Sequence, residues 1–241
     1  MSLPCSQNVR LLVRKTSHRR RRDGVVCYGI CIGNRLIVKS VFCFWGKAES
    51  ILKELEEKIQ TEGIVLSGNI LKVGSFLNHQ IDAGFTMKMG EEIARLFADA
   101  GVTRILTIET SGIAIAFAVA FSLHVPMVFA KKARTDNLSG ELYQVVVHSY
   151  THGVDYNVVV EKQFLNRGDR VLLVDDFLAN GKALLGLWEL SNMAGADVVG
   201  AAVAIEKGFQ GGENALRKKG LRVEALATIQ SMEDGHIVFA H

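Results

Sequence analysis

The 241-residue sequence predicts an α/β fold, a mainly parallel twisted sheet flanked by helices. Three observations predict it. From residue 48 onward, short aliphatic runs alternate with segments of helical period, the pattern of strands joined by crossover helices. Several runs, such as "RILTI" (104–108) and "VLLV" (171–174), stay apolar with little alternation, as strands covered on both faces do. One of them runs into two adjacent carboxylates and a small-residue turn, "VLLVDDFLANGKALLGL" (171–187). In parallel sheets, ligands gather beyond the carboxyl ends of strands, and charges placed there without a partner are costly.

The elements follow in order. In "GKAESILKELEEKIQTEG", Ile51, Leu52, Leu55 and Ile59 recur at helical spacing, Glu54 and Lys58 stand four apart, and Gly63 stops the helix. "NILKV" (69–73) is a short strand. Asp82 caps a helix whose face runs Phe85, Met89, Ile93, Leu96 and Phe97, with Gly101 ending it. "RILTI" is a buried strand, "ETSG" (109–112) a turn, and "IAIAFAVAFSL" (113–123) a small-residue helix able to pack closely on a sheet. "MVFA" (127–130) is the next strand, and the polar residues 131–141 read as a loop. "LYQVVVHSY" and "YNVVVEKQF" flank "THGVD" as a hairpin. "RVLLVDD" (170–176) leads into a helix over Gly181–Ala194, and "DVVGAAVAIEK" (197–207) is a further strand.

Charge and cysteine usage divide the chain. Residues 1–47 hold ten Lys/Arg against Asp23 alone, while the remainder carries 18 basic and 24 acidic residues. The body, 48–241, is therefore not a nucleic-acid surface by charge. The basic run "TSHRRRRDG" leaves open a nucleic-acid or nuclear tag and an Arg-rich targeting peptide. The expectation is a disordered extension, or residues upstream of the true start. All four cysteines (Cys5, Cys27, Cys31, Cys43) lie in it, and a body without cysteine points to a reducing cytoplasm. No apolar run reaches the roughly 20 residues of a bilayer span, so no membrane is expected.

The stretch "LLVDDFLANGKA" offers two things side by side. Backbone N–H groups of 179–183, opening a helix, can cradle a phosphate monoester, and the small residues let that backbone approach closely. Asp175 and Asp176 can accept hydrogen bonds from a vicinal diol. Phosphate plus diol means a ribose 5-phosphate; the rival reading is a strand end with solvated carboxylates.

This stretch resembles the phosphoribosyl-diphosphate signature of type I phosphoribosyltransferases, with Asn180 in place of the usual Thr and Ala183 in place of the usual hydroxyl residue. "ETSGIA" (109–114) resembles that family's diphosphate loop, "FAKK" (129–132) its basic loop entry, "SFLNHQID" (75–82) its base-side element and "IEKGFQGG" (205–212) its hood. With "IQSME" (229–233), the set is most similar to the bacterial xanthine-specific members, over about residues 50–239. Residues 1–50 have no counterpart there, and Leu52 stands about where such a protein would begin.

The resemblance implies a type I phosphoribosyltransferase fold with a small hood subdomain over the purine site. It implies transfer of ribose 5-phosphate to xanthine. In that reading Asp175 and Asp176 are catalytic, gripping the diol and stabilising an oxocarbenium-like sugar. Ala179, Asn180, Gly181, Lys182 and Ala183 hold the 5′-phosphate; Thr110, Ser111 and Lys132 (or Lys131) meet the diphosphate. Leu71, Asn78 and Lys207 bind xanthine, Lys207 donating to an exocyclic oxygen. The cofactor is Mg²⁺ bound mainly through substrate oxygens, with no residue of the chain named as its ligand. Relatives acting on hypoxanthine and guanine place an aspartate where Ala179 stands, so no general base is named. Phe209 is either a ring stacked on the base or a core aromatic, Glu109 a structural carboxylate and His79 a structural residue. A homodimer is implied, with Phe76 and Phe85 either at an interface or in the core. The alternatives are another purine as substrate, or a purine-repressor-like regulator that binds phosphoribosyl diphosphate.

Overall fold

The computed structural model describes residues 30–32, 35–37, 48–66, 69–133, 141–149, 154–233 and 236–240. The chain divides into two units, Met1–Ala48 and Glu49–His241. In the first, β1 (Ile30–Ile32) and β2 (Arg35–Ile37) pair as an antiparallel hairpin.

The second opens with α1 (Ala48–Glu62), whose Ile51, Leu55 and Ile59 are buried at the predicted spacing. Next come β3 (Ile64–Leu66) and β4 (Ile70–Lys72), an antiparallel hairpin separate from the main sheet. Helix α2 (Ala83–Leu96) is capped by Asp82, whose side chain accepts the Phe85 N–H at 3.1 Å, a contact worth about 1 kcal/mol. It ends at Leu96 rather than at Gly101; a turn over 97–101 follows. Strand β5 (Arg104–Ile108), α3 (Gly112–Leu123) and β6 (Met127–Ala133) form a crossover unit. Strand β6 thus runs through Lys131–Ala133, which the sequence reads as loop, because those residues pair with β8. The hairpin β7 (Leu142–Ser149) and β8 (Val154–Glu161) is as predicted, its residues 150–153 lying outside the described ones. Then come β9 (Arg170–Leu178), α4 (Lys182–Ala194), β10 (Asp197–Lys207), a single 3₁₀ turn at Gly208–Gln210, α5 (Gly212–Arg217), β11 (Val223–Glu233) and β12 (His236–Phe239).

The main sheet has the order β12–β11–β10–β9–β5–β6–β8–β7. Its five central strands, from β11 across to β6, are parallel; β12, β8 and β7 are antiparallel additions at the edges. Helices α1, α2 and α3 bury Leu55, Met89, Ile93, Ile115 and Val119 on one face, against Leu172, Val174 and Ala202. On the other face, Leu184, Leu187 and Leu190 of α4 pack with Val145 and Val158 of the hairpin against Val171, Leu173 and Ala201. From β5 the chain moves outward to β6; from β9 it moves the other way to β10 and β11. The strand order therefore reverses between β5 and β9, the point where open α/β sheets bind ligands. Among the described residues no helix is long and apolar enough to cross a membrane.

Candidate active site

Strand β9 carries the acid pair into this switch point. It pairs with β5 only as far as Leu106–Leu173, but with β10 as far as Leu178–Glu206. The sequence reading of Asp175–Asp176 as the strand's end is corrected: Phe177 and Leu178 extend the strand because β10 still supplies a partner there. On the β5 side the strands have separated, so the carboxylates border an open crevice. Both are buried, 6% and 5% exposed, which rules out solvated carboxylates at a strand end.

Asp176 is the hub. Its Oδ1 accepts the Ser111 hydroxyl at 3.0 Å, its Oδ2 accepts the Asn78 amide at 3.4 Å, and its own N–H donates to Asp175 Oδ1 at 3.0 Å. Burial pushes the Asp175 carboxyl well above the ordinary carboxylate range, the Asp176 charge adds to this, and Lys132 works against it. Tyr156 stands in the same field; burial first and then Asp175 raise its phenol. The Lys132 ammonium lies 5.1 Å from the Tyr156 ring centroid, while its backbone N–H donates to Glu109 Oε1 at 2.6 Å. Glu109 is thus a structural carboxylate tying the 109–112 turn to β6.

That turn is held close to the acids. A β-carbon at Gly112 would lie 2.4 Å from Thr107 Oγ1 and 2.5 Å from Asp175 Oδ1, so only glycine lets α3 begin here. Thr110 is exposed at the mouth, and the Glu109–Thr110 peptide is cis.

The phosphate turn follows β9 directly. Asn180 Oδ1 accepts the Lys182 N–H at 3.1 Å, closing an Asx turn, and Gly181 adopts φ +80°, which a side chain would strain. The first helical bond of α4 is Leu185 N–H to Gly181 C=O. The amides of Ala183 and Leu184 therefore precede the helical ladder, with the helix dipole behind them. A helix start of this kind, with open amides next to two carboxylates, has the geometry to receive an anion.

The other side of the crevice comes from two regions, the β3–β4 hairpin with the loop that follows it and the end of β10. The 73–82 loop is folded on itself by Leu77 N–H to Val73 C=O, Gln80 N–H to Gly74 C=O and Asp82 N–H to Phe76 C=O, with Phe76 and Leu77 buried beneath. It presents Asn78 toward Asp176. Phe76 and Phe85 make an edge-to-face pair, centroids 6.1 Å apart, and are core residues, not interface. Lys207, at the end of β10, donates to the carbonyl of Asn69 in the β3–β4 turn at 2.9 Å and lies 5.6 Å from the Phe177 ring centroid. Burial lowers its ammonium pKa. Leu71 does not present its side chain: it is buried in the core below the hairpin, leaving only its backbone toward a ligand. Phe209 is 39% exposed and so not a core aromatic, and His79 is exposed as well.

Asn69, Tyr156 and Phe177 border this crevice, against Lys207 and Lys132, and escape the sequence. Tyr156 and Asn69 sit in hairpins whose packing has no local signal. Phe177 could have been found from its place between the acid pair and the small-residue turn.

Residues 79–233 match the phosphoribosyl transferase domain model. The chain is 52% identical to a xanthine phosphoribosyltransferase of Lactobacillus delbrueckii subsp. bulgaricus over 77% of this chain and 98% of that protein. It is 53% identical to one of Bifidobacterium longum over 79% of this chain and all of that protein. In fold it is similar to the adenine phosphoribosyltransferase of Giardia lamblia solved with 9-deazaadenine, at TM-score 0.64 and 22% identity, covering 73% of this chain and 98% of that one.

Proposed function

Because the chain belongs to the phosphoribosyl transferase domain family, we propose that it transfers ribose 5-phosphate from 5-phosphoribosyl 1-diphosphate to xanthine. The products are xanthosine 5′-monophosphate and diphosphate, and the role is purine salvage. The C1–O bond to diphosphate breaks as the C1–N bond forms, and the ring nitrogen of xanthine gives up its proton. The observation that carries ribosyl transfer is the buried acid pair followed at once by an open-amide helix start, at the sheet's switch point. The choice of xanthine rests on the relatives of about 50% identity.

Asp175 and Asp176 grip the ribose diol, and their charge favours the cationic sugar of the transition state over the neutral ground state. Ala179, Asn180, Gly181, Lys182 and Ala183 hold the 5′-phosphate. Ser111, already bonded to Asp176, and Thr110 meet the diphosphate, with Lys132 on its far side. Asn78 and Lys207 read the oxygen and N–H edges of the base, Lys207 donating to an oxygen that adenine lacks; Leu71 contributes main chain.

Mg²⁺ fits this reading as an ion held mainly by the substrate's own diphosphate and ribose oxygens, and no side chain of the chain is assigned to it. When bound through the substrate's oxygens, the ion neutralises charge on the departing diphosphate. A homodimer is the assembly, supported by Phe117 and Phe121, 58% and 60% exposed on the outer face of α3 with rings 6.4 Å apart. The cysteine-free body suits a cytoplasmic enzyme without nucleic-acid or membrane partners.

The test is an absorbance assay with phosphoribosyl diphosphate, Mg²⁺ and each of xanthine, guanine, hypoxanthine and adenine. Xanthine is strongly preferred; equal rates on adenine overturn the reading.

A further inference from the structure

Among the described residues, two buried side-chain hydroxyls lack a hydrogen-bond partner, and one of them, Thr107 Oγ1, lies beside the acid pair. Thr107 is fully buried on β5, so its hydroxyl loses water without replacement, which is costly. Valine would fill the same volume without that cost.

Its place in the sheet suggests the reason for a hydroxyl. Pairing of β5 with β9 ends at Leu106–Leu173, while β5 continues along β6 to Ile108–Ala130. Thr107 is therefore the first residue of β5 beyond the split, at the floor of the crevice. The Asp175 carboxylate comes near its hydroxyl beside Gly112. Thr107 Oγ1 and Asp175 Oδ1 each lie about 2.5 Å from the point where a Gly112 β-carbon would stand, and so within about 5 Å of one another. Gly112 lets α3 start without wedging a side chain between them. In this conformation Asp175 Oδ1 accepts the Asp176 N–H, and the Thr107 hydroxyl has nothing to donate to.

Resting on the assignment of the ribose to the acid pair, we propose that Thr107 is a positioning residue for Asp175, its hydroxyl donating to that carboxylate once the ribose diol engages it. The bond requires the two oxygens, already within about 5 Å, to approach to the usual 2.5–3.0 Å of an O–H···O bond. The donor does two things. It fixes the carboxylate's orientation toward the diol, and it favours the ionised form against the burial and the Asp176 charge that oppose it.

The experiment compares Thr107→Val and Thr107→Ser in the full chain, by melting temperature, by kcat/KM for phosphoribosyl diphosphate and by its pH profile. Thr107→Val is expected to melt at or above the wild-type temperature. Its kcat/KM falls tenfold or more, and the acid limb of the profile moves to higher pH. Thr107→Ser keeps kcat/KM within threefold and the limb in place, although it loses a methyl group. A Val variant within twofold of wild type overturns the role, and so does a Ser variant as impaired as Val. Thr107→Ala supplies the hydroxyl-free arm should Val fold poorly. Wild-type turnover of xanthine tests the underlying reading alone; turnover with an unaffected Val variant overturns only Thr107.

Discussion

The two sides of the crevice are built differently. The sugar-phosphate side is one continuous stretch, Asp175 to Ala183, seated in the middle of the sheet, with Asp176 already bonded to Ser111 and the turn already closed by Asn180. The side proposed for the base gathers two regions far apart in sequence, the hairpin and loop over 64–82 and the end of β10, joined by the bond from Lys207 to Asn69, and it meets the acid pair through Asn78 and Asp176 at 3.4 Å. Charge stabilisation benefits from groups that need not reorganise during reaction. Base recognition needs only that the right polar atoms face the purine edge, and a hairpin can deliver them. The proposed assignment therefore separates base selectivity from the sugar chemistry.

The largest expected effect lies at the hub. Asp176→Asn removes the charge that faces the sugar and turns an acceptor toward Asn78 into a donor. It is expected to lower kcat about 10²–10³-fold with every purine tested, the range seen when a preorganised electrostatic group is lost. Steady-state kinetics with xanthine and guanine check it; a loss confined to one base would break the division between the sides.

Lys207→Met comes next. A base site deprived of its donor leaves a substrate oxygen unpaired in a partly desolvated place, so kcat/KM for xanthine should fall about 10²-fold. KM for phosphoribosyl diphosphate should stay within threefold. If that KM rises in step with the loss on xanthine, the two sides are one unit. Asn78→Ala is milder, about tenfold in xanthine kcat/KM, because its bond to Asp176 is long. Its bond to Asp176 spans the two sides, so its double mutant with Lys207→Met measures their coupling.

The difference between the sides also decides what can be read from the sequence. Asp175–Ala183 is legible as chemistry because its residues are contiguous: the run, the acids and the turn appear in the order the ligand needs them. Leu71, Asn78 and Lys207 are reached only through resemblance, since nothing local places a hairpin over a distant strand end. Lys207 finds Asn69 only because β10 outruns β5 at the split. The fold is legible wherever burial repeats with a period, as in α1, α2, β5 and β10. It is misread where a neighbour's backbone overrides composition: Lys131–Ala133 are strand because β8 pairs with them, and Phe177–Leu178 because β10 does. Strands β11 and β12, the short α5 and the hairpin strand β3 do not stand out as elements, being brief or irregular in pattern. Phe76 and Phe85, open between core and interface in the sequence, are fixed in the core by their mutual edge-to-face contact.

The smallest effect sharpens the comparison most, because it separates function from stability within the rigid side. Asp175 is a carboxyl whose pKa is raised in the folded chain, by burial first and by Asp176 next. The folded state therefore holds this proton more tightly than the unfolded one. Below the unfolded value, near 3.9, both states are protonated and the residue has no linked cost. As pH rises from there through the folded pKa, the native state loses stability relative to the unfolded chain. Asp175→Asn keeps an oxygen for the Asp176 N–H and removes this burden. Its melting temperature should match wild type near pH 4 and exceed it by about 2–4 °C at neutral pH, the shift that roughly 1 kcal/mol gives a domain of this size. Its kcat should fall no further than that of Asp176→Asn, and by the same factor at every pH. Melting curves of both proteins between pH 4 and 8 check it, and a gap that narrows as pH rises would mean that Asp175 is stabilised by its neighbours rather than held against them.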